Sequence, residues 1–410
     1  MVQETFMNMS FNLDTFISEK ITQRPQSLLA EDLSVFDTPI RKEITGKSVL
    51  VIGAAGTIGA SFVRAILTYA PQKLVVVDIN ENGLTELVRD CRSRDTLTLP
   101  NAFKSYPINF GEPVFKKIFL AEGPFDIVAN FAAHKHVRSE KDIYSIEAMI
   151  ENNVLKAKGL LDLLLEYPPQ HFFCVSTDKA ANPVNIMGAS KKLMENLILA
   201  YSKKLPITTA RFANVAFSNG SLPAGFIERV MKRQPLSCPS DVRRYFVSPE
   251  ESGQLCLMAC VLGKSGEIFF PKLQEKDLIY FSSIAENFLE ALGLSPEACD
   301  SEEDAKKKAA SLTKTSQKYP LYLFKSDTSG EKLYEEFYTQ DEKKDLTRFK
   351  ALGVIQDAAH PSLSELNTMI KSLETCFSKP TQKSDIVDLL KLLLPNFQHI
   401  ETGLNLDQKM

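Results

Sequence analysis

Short apolar runs and amphipathic stretches alternate along the chain from about residue 47 onward. The runs are rich in branched and aromatic residues and end in polar residues or glycine, as buried strands do. They predict strands at residues 48–53, 73–78, 105–109, 126–130, 172–175, 207–215 and 267–271. Helical spacing occurs at residues 57–70, 81–92, 114–121, 282–292 and after residue 332. Strands alternating with helices at this rhythm are typical of an α/β protein with a Rossmann-like, doubly wound parallel sheet.

The same pattern divides the chain into four parts. Residues 1–45 mix apolar and charged positions at loose helical spacing, which predicts a helical N-terminal extension that packs on the main domain or on a partner subunit. Residues 46–240 hold the alternation expected of the Rossmann-like domain. Residues 241–355 have a mixed pattern, and we expect a smaller C-terminal lobe that mainly binds substrate. Residues 356–410 predict a helical tail whose apolar end needs a covering surface.

Composition narrows the class of protein. The chain has 410 residues, of which 44% are hydrophobic and 24% charged, as is ordinary for a soluble globular protein. A net charge of -3 gives no electrostatic reason to expect binding of nucleic acid or of a membrane surface. The sequence shows no leader-like N-terminus and no apolar run of membrane-spanning length, so we expect a cytoplasmic protein without a membrane anchor. The cysteines form no CxxC pair and fit free thiols in a reducing compartment.

A glycine-rich turn and a helix follow the first predicted strand. The turn reads Gly-Ala-Ala-Gly-Thr-Ile-Gly, with glycines at Gly53, Gly56 and Gly59. The first glycine allows a tight turn, the second removes a side chain where a pyrophosphate approaches, and the third lets helix and strand pack closely. The start of the helix, at Thr57 and Ile58, offers free N–H groups to phosphates. Strand, turn and helix together predict a dinucleotide site.

The ends of the next three strands add to this predicted site. Asp78 ends the second strand about 20 residues after the last glycine, where a carboxylate accepts ribose hydroxyls and repels a 2′-phosphate. We therefore expect NAD, with NADP less favoured. Asn109 ends the third strand, and Ala132 and Ala133 lie in a loop of small residues that lets the backbone approach the cofactor.

A reactive cluster leaves the strand at residues 172–175, where the chain turns abruptly polar. A hydroxyl, a carboxylate and an amine leave this strand end together, at the edge of a parallel sheet that faces the ligand crevice. A helix follows, with Met187 and Lys191 four residues apart on one face. We expect the catalytic residues to be Thr177, Asp178, Lys179 and Lys191.

Several other side chains suggest ligand binding. Arg211 and Arg244 are candidates for holding a diphosphate, because a guanidinium binds phosphate oxygens in pairs. His134 and His136, and a cysteine pair at helical spacing, each resemble half of a metal site. No further ligand is spaced to complete either one, so we expect no metal.

Taken together, eight segments resemble the nucleotide-sugar dehydratases of the extended short-chain dehydrogenase/reductase superfamily. They occur in the family's order over about residues 47–349, and they are GAAGTIG, the strand-ending Asp78, FAAHKHV, STDKAANPVNIMGASKK, RFANVAFSNGS, RRYF, GEIFFPK and SGEK. The branch is linked to capsular polysaccharide and flagellin glycosylation and includes UDP-N-acetylglucosamine 4,6-dehydratases. The resemblance implies bound NAD, a UDP-sugar substrate and a homodimer or larger homo-oligomer.

The resemblance also implies contacts for residues outside the reactive cluster. Lys191 is implied to lie beside the nicotinamide ribose, and substrate contacts are implied at Lys135, Met187, Asn214 and Arg244. Met187 stands at the position of the superfamily's usual tyrosine, as in the methionine-bearing dehydratases of this branch, so a tyrosinate cannot be the base. Ala213 and Arg138 depart from residues common in relatives and affect the expected sugar preference more than the expected reaction.

The implied reaction divides proton transfer between neighbouring residues. Oxidation at carbon 4 acidifies the proton on carbon 5, after which water leaves across carbons 5 and 6. We expect Thr177 to bond the 4-hydroxyl, Lys179 to take the proton from carbon 5, and Asp178 to protonate the departing 6-hydroxyl. The sequence does not decide which of Asp178 and Lys179 is the acid and which is the base, because the surroundings can raise or lower the pKa of either side chain.

Two other functions stay open from the sequence. An epimerase, a reductase or a dehydratase with a different product would use the same fold and the same nucleotide sugar. A non-catalytic module that binds NAD or a nucleotide sugar would be expected to lack the reactive cluster, which is complete here. The expected dimer has two motives: this fold commonly pairs through helices beside the Met187 to Lys191 segment, and the apolar tail needs cover.

Overall fold

The structure is a computed structural model that describes residues 11–136, 140–326 and 334–399. Arg138 and the SGEK segment lie outside these ranges. Within them the strands, numbered in chain order, are β1 Ser48–Ile52, β2 Lys73–Asp78, β3 Ala102–Pro107, β4 Ile127–Asn130, β5 His171–Val175, β6 Ile207–Ala210, β7 Asn214–Val215, β8 Leu236–Pro239, β9 Arg243–Val247, β10 Ile268–Pro271, β11 Leu278–Tyr280, β12 Ser295–Cys299, β13 Lys318–Phe324, β14 Lys343–Asp345 and β15 Leu352–Gln356.

A nine-stranded sheet forms the centre of the molecule, in the order β14-β15-β10-β6-β5-β4-β1-β2-β3. Neighbouring strands from β3 to β10 run parallel, and β15 and β14 add an antiparallel edge. The chain winds outward from β1 in both directions, so a crevice opens at the carboxyl ends of β1 and β4. The predicted Rossmann-like, doubly wound sheet is confirmed.

Helices cover both faces of this sheet. They are Leu13–Phe16, Ala30–Val35, Asp37–Ile44, Thr57–Leu67, Glu81–Arg92, Pro113–Glu122, Ile143–Ile150, Lys156–Glu166, Ile186–Tyr201, Leu222–Met231, Pro249–Leu262, Phe281–Ala291, Glu302–Ala310, Leu363–Phe377 and Lys383–Leu393. One core lies under Thr57–Leu67 and Pro249–Leu262, and a second under Ile186–Tyr201 on the opposite face. No helix in the described part of the chain combines the length and the apolar character needed to cross a bilayer.

The C-terminal lobe contains two small sheets, β11-β9-β7 and β12-β13-β8. Their shared core includes Phe217, Phe226 and Phe288. Residues 241–355, expected mainly as this lobe, also give β10, β14 and β15 to the central sheet, because the fully buried β10 needs strands on both sides. The helix expected after residue 332 is wrong: residues 334–342 lie in irregular turns.

Apolar side chains of the N-terminal extension enter the cores of both lobes. Phe16, Ile17 and Ile21 pack in the core of the C-terminal lobe. Ile40 and Ile44 pack in the core of the main domain and are fully buried. The extension therefore acts as a strap across the two lobes rather than as a separate unit.

Polar groups of the same extension find partners far along the chain. The Arg24 guanidinium donates to both oxygens of Glu251, at 2.8 and 2.7 Å, and Glu251 lies in the first turn of the helix that follows β9. Asp32 is buried and accepts the backbone N–H groups of Lys350 and Ala351, each at 2.7 Å. These contacts fix the strap to the helix Pro249–Leu262 and to the segment just before β15, both of which pack in the core of the main domain.

The C-terminal tail packs against its own chain. Helices Leu363–Phe377 and Lys383–Leu393 bury their apolar faces in the core that holds Ile186–Tyr201. Every residue of Ile186–Tyr201 except Lys192 is buried as a result. The apolar face of the tail is thus covered by the chain itself, which removes one of the two reasons for expecting a dimer. The homo-oligomer stays a prediction.

Removal of the Arg24 side chain should destabilise the protein by about 3 kcal/mol, because it leaves the Glu251 carboxylate, 3% exposed, without its ion-pair partner. The matched control is Arg41→Ala, whose pair with Asp37 is solvent-exposed and contributes little. Urea unfolding monitored by far-ultraviolet circular dichroism should show a lower midpoint for Arg24→Ala only. Equal midpoints for the two variants would contradict the bracing role of the strap.

Candidate active site

The glycine turn lies between β1 and the helix Thr57–Leu67. Gly53 has a φ of +76°, and a Cβ atom there would lie 2.4 Å from the backbone nitrogen of Ala132. The loop after β4 therefore approaches too closely for any side chain at this position. A Cβ at Gly56 would meet nothing closer than the Gly53 oxygen at 3.5 Å, an ordinary contact. Packing within the chain does not require glycine at position 56, so its open side is free for a ligand.

The start of the following helix is suited to an anion. Its N-cap residue is Gly56, which has no side chain to bond the first N–H groups. Asp78 lies on the neighbouring strand, and its Oδ2 accepts the Ala55 N–H at 2.9 Å. The Thr57 hydroxyl oxygen accepts the Asn219 N–H at 2.9 Å, which ties the turn to the loop after β7. A positive helix end and a fixed carboxylate thus lie side by side.

The other predicted cofactor residues follow strands of the same sheet edge. Asn109 follows β3, and its Oδ1 accepts the Gly111 N–H at 2.9 Å. Ala132 and Ala133 follow β4 and are half-buried, as is Ile58 in the first turn of the helix. The structure therefore places the predicted cofactor residues at the carboxyl edge of the parallel strands.

Asn153 is a positioning residue that the sequence analysis did not single out. It lies in a π-helical turn, Glu151–Leu155, and is fully buried. Its Oδ1 accepts the His134 N–H at 2.8 Å, while its Nδ2 donates to the His134 carbonyl at 2.9 Å and to Ser190 Oγ at 3.0 Å. It joins the loop after β4 to the helix of Lys191. Among the described residues, no three His, Cys, Asp or Glu side chains are grouped to hold a metal ion.

The reactive cluster at the end of β5 is already paired. Asp178, 3% exposed, accepts three hydrogen bonds on Oδ1, from Thr177 Oγ1 at 2.8 Å, the Lys179 N–H at 2.9 Å and Lys179 Nζ at 3.1 Å. Lys179 Nζ also lies 3.8 Å from Glu335. Burial lowers the pKa of Lys179, but the charges of Asp178 and Glu335 outweigh it and raise the pKa overall, with Arg244 acting against them. Lys179 is therefore held as an ammonium that donates to Asp178.

Lys191 and Met187 face the same region from the next helix. Lys191 is buried, and its Nζ donates to the Val175 carbonyl at 3.0 Å. Burial lowers the pKa of Lys191 to about 8. Met187 is also buried, and its backbone N–H donates to Glu140 Oε1 at 2.9 Å. With an apolar side chain at position 187, no group of this helix turn except the Lys191 amine can carry charge toward the crevice.

Two of the predicted substrate residues, Arg244 and Asn214, lie on strands of the small sheet β11-β9-β7, whereas Lys135 lies on the loop after β4. Arg244 on β9 is buried and close enough for its charge to act on Lys179. Asn214 starts the neighbouring strand β7, and its Nδ2 is a buried atom without a hydrogen-bond partner among the described residues. Lys135 Nζ donates to Ser218 Oγ at 3.5 Å across the two loops. An orphaned amide beside a buried guanidinium is suited to a polar ligand.

The expectation that Arg211 holds a diphosphate is wrong. Its side chain is fully buried, and its donors bond both oxygens of Glu195, both oxygens of Glu342 and the Phe337 carbonyl. These bonds use all five N–H groups of the guanidinium. Burial alone raises the pKa of Glu195, but the charges of Arg211 and Lys192 outweigh it and hold that pKa far below its usual range. Arg211 is therefore a structural residue beneath the cluster.

The sheet order, the glycine turn and the cluster at the end of β5 define a Rossmann-like protein with its candidate site at the ligand edge of the sheet. The model of a family described as "Polysaccharide biosynthesis protein" matches residues 49–357. The chain belongs to this family, and the resemblance found in the sequence is confirmed at the level of the family.

Three curated relatives give the range of similarity. The "Uncharacterized membrane protein MJ1061" of Methanocaldococcus jannaschii is 30% identical over 75% of this chain and 85% of its own length. "Capsular polysaccharide biosynthesis protein CapD" of Staphylococcus aureus is 28% identical over 76% of this chain, which spans 51% of that protein. "UDP-N-acetylglucosamine 4,6-dehydratase (inverting)" of Campylobacter jejuni is 26% identical over 56% of this chain and 67% of its own length. The chain thus spans only about half of CapD.

Solved structures share the fold. The structure of Pen from Bacillus thuringiensis superposes with a TM-score of 0.61 at 22% identity, and covers 81% of this chain and 98% of its own. DesIV from Streptomyces venezuelae, a dTDP-glucose 4,6-dehydratase, superposes with a TM-score of 0.53 at 18% identity over 71% of this chain and 88% of its own. At these identities the likeness establishes the architecture and no more.

Replacement of Lys191 by methionine should stabilise the protein at neutral pH. A buried amine whose pKa falls from 10.5 to about 8 costs the folded state roughly 3 kcal/mol wherever it stays charged. That cost is complete below pH 8 and disappears as the pH rises toward 10.5, because the folded protein then gives up this proton before the unfolded chain does.

Urea midpoints of Lys191→Met and of the wild type should therefore differ most at pH 7 and converge as the pH rises from about 8 to 10.5. The exposed Lys204→Met serves as the control and should show no such convergence. A variant that is less stable than the wild type at every pH would show that the Lys191 charge is stabilising instead.

Proposed function

We propose that this protein is an NAD-dependent nucleotide-sugar 4,6-dehydratase that acts on UDP-N-acetylglucosamine. The observation that carries this proposal is the Asp178 and Lys179 pair at the carboxyl end of β5, beside a helix in which Met187 replaces a titratable tyrosine. Water loss needs one group that removes a proton and one that donates a proton on neighbouring atoms. The family membership and the relative named as a UDP-N-acetylglucosamine 4,6-dehydratase support the same class of substrate.

The glycine turn fits a dinucleotide. Gly56 has an open side, and the uncapped helix behind it supplies N–H groups for a pyrophosphate. Asp78, fixed by the Ala55 N–H, is placed to accept ribose hydroxyls and to repel a 2′-phosphate, which favours NAD. When bound, the nicotinamide supplies a hydride acceptor for carbon 4 and returns the hydride within the turnover. Lys191 is proposed to hold the adjoining ribose and to place a positive charge where the 4-oxygen becomes negative.

The nucleotide sugar is proposed to lie between the cluster and the C-terminal lobe. Arg244 would bind the diphosphate, with the orphaned amide of Asn214 as a second donor. Lys135, on the loop after β4, adds a positive charge on the other side of the crevice. Thr177 would turn its hydroxyl from Asp178 toward the 4-hydroxyl of the sugar once the substrate is present.

The resting geometry bears on which residue is acid and which is base. Lys179 is held as an ammonium, and Asp178 accepts three hydrogen bonds, as an ionised carboxylate does. We therefore propose the reverse of the first expected assignment: Asp178 takes the proton from carbon 5, and Lys179 protonates the departing 6-hydroxyl. Both groups leave one strand end, so both would act on the same face of the sugar.

An epimerase is the second candidate. A relative named "UDP-glucose 4-epimerase", from Rickettsia canadensis, is 28% identical over 55% of this chain and 66% of its own length. Epimerisation at carbon 4 needs proton exchange with one hydroxyl, whereas water loss needs two groups. The Asp178 and Lys179 pair therefore favours the dehydratase. It also disfavours a non-catalytic binding module, which needs no such pair.

Gly56→Ala should fold normally and bind NAD at least tenfold more weakly, since the added methyl group makes only an ordinary contact with the Gly53 oxygen but occupies the ligand side of the turn. Gly53→Ala should instead fail to fold, because its Cβ would lie 2.4 Å from Ala132 N. Gly159→Ala, with no atom within 4 Å of the added carbon, is the control. Circular dichroism and calorimetric titration with NAD and NADP test this. Unchanged NAD affinity in Gly56→Ala, or tighter binding of NADP by the wild type, would refute the proposed site.

Asp178→Asn and Lys179→Met should each lower turnover by at least a hundredfold, because each removes one partner of the proposed proton transfer. The wild type, incubated with UDP-N-acetylglucosamine and no added cofactor, should yield a product lighter by one water in mass spectrometry. Both variants should keep bound NAD, which is measured after denaturation. Near-normal turnover in either variant would rule out this division of labour, and a wild-type product of unchanged mass would point to the epimerase.

A further inference from the structure

A carboxylate from outside the predicted motifs reaches the reactive amine. Glu335 is only 5% exposed, and its Oε1 lies 3.8 Å from Lys179 Nζ. Asp178 Oδ1 lies 3.1 Å from the same nitrogen. The amine is therefore placed between two carboxylates, one from the end of β5 and one from the segment just before β14.

Contacts that do not involve Lys179 fix the position of Glu335. Two residues further on, Phe337 is buried, and its ring centroid lies 5.4 Å from that of Tyr245 and 6.4 Å from that of Phe270. The Phe337 carbonyl accepts a hydrogen bond from Arg211 at 3.0 Å. The segment that carries Glu335 is thus held both by the ring contacts of Phe337 and by the hydrogen bond from Arg211. These contacts place Glu335 next to Lys179.

The end of the segment is anchored as well. Glu342 binds Arg211 through both carboxylate oxygens at 2.8 Å, and its Oε2 also accepts the Thr339 N–H at 2.8 Å. Arg211 in turn holds Glu195, whose Oε2 accepts Ser176 Oγ at 3.0 Å, next to the reactive cluster. One buried guanidinium therefore sets the distance between the strand end that carries Lys179 and the segment that carries Glu335.

The two carboxylates have different surroundings. Asp178 Oδ1 accepts hydrogen bonds from the Thr177 hydroxyl, from the Lys179 backbone N–H and from the Lys179 amine. In the proposed reaction Asp178 also changes its charge when it takes a proton. Glu335 is the carboxylate that would keep a negative charge beside Lys179 throughout the turnover. Burying the Glu335 carboxylate costs free energy of desolvation. Its position beside the Lys179 amine therefore suggests a function.

We propose that Glu335 is a positioning residue that holds the Lys179 amine toward the crevice and sustains its affinity for a proton during the reaction. This inference rests on the proposed function for its kinetic consequence, although its electrostatic part does not. Glu335 acts through Lys179 rather than on the sugar. It would let Lys179 regain a proton from solvent after each donation.

The kinetic test compares Glu335→Gln and Glu335→Asp with Glu336→Gln. Glu336 is the adjacent, exposed glutamate, and its Oε2 accepts a hydrogen bond from Asn182 Nδ2 at 3.0 Å, so it controls for the loss of a negative charge in this segment. The plot of kcat/KM for water loss against pH should fall at high pH, where Lys179 loses the proton that it donates. Lys179→Arg should lack this high-pH limb, because a guanidinium keeps its proton. In Glu335→Gln this limb should move to lower pH by about one pH unit or more, because a negative charge near 4 Å has been removed. Glu335→Asp should restore part of the shift, and Glu336→Gln should match the wild type.

A second measurement does not depend on activity. Only the neutral amine reacts with an acylating reagent, so brief labelling at pH 7.5 followed by peptide mass spectrometry reports the proton affinity of Lys179. Labelling of Lys179 should rise several-fold in Glu335→Gln and stay at the wild-type level in Glu336→Gln.

The outcomes separate this inference from the proposed function. A lower unfolding midpoint in Glu335→Gln with an unchanged pH limb and unchanged labelling would overturn the inference and leave Glu335 as a structural ion-pair partner. If the wild type releases no water from UDP-N-acetylglucosamine, the proposed function fails, and the labelling result alone then decides the inference. Increased labelling in that case would still establish the control of Lys179 by Glu335.

Discussion

The buried ion pairs around Arg211 are the interaction on which the geometry of the candidate site depends. The guanidinium satisfies its five donors with Glu195, Glu342 and the Phe337 carbonyl. Glu195 belongs to the helix of Lys191, and Phe337 and Glu342 belong to the segment of Glu335, so one side chain at the end of β6 fixes both relative to the sheet. A buried arginine that lost one of these partners would be strongly destabilising. We therefore expect these elements to keep one arrangement as long as the chain is folded.

Local patterns were sufficient to predict the parallel strands of the central sheet, though not its antiparallel edge of β15 and β14, and the part of the site that follows directly from those strands. The strand of Lys73–Asp78 and the helix Glu81–Arg92 lie where the sequence pattern puts them, because apolar periodicity and the Asn80 cap act within a few residues. The glycine turn and the residues from Thr177 to Lys179 are continuous in sequence, so their common strand-end position follows from the sheet alone. The third strand was shifted by a few residues, since its exposed positions give a weak pattern.

Elements stabilised by distant partners could not be predicted in this way. Ser295–Cys299 has little of the alternation of a strand and forms one because it pairs with β13 along its whole length. Arg211 looked like a phosphate ligand because nothing near it in sequence reveals Glu195 and Glu342 as its partners. Glu335 and Asn153 were overlooked for the same reason, since each acts on residues of another segment. The signal available for Asn153 was its place in a long helical stretch after the loop of His134, where a buried polar residue requires partners.

The two lysines of the site show why residue type alone does not assign chemistry. Lys191 is buried against Val175 without a carboxylate bonded to its amine among the contacts described here, and its pKa falls. Lys179 is partly buried between Asp178 and Glu335, and its pKa rises. Two lysines whose pKa values are shifted in opposite directions by their surroundings can have different roles in one reaction. With methionine in place of tyrosine at position 187, the helix turn of Lys191 offers no phenol hydroxyl, and in the proposed reaction proton exchange falls to the strand end, where two carboxylates lie beside Lys179.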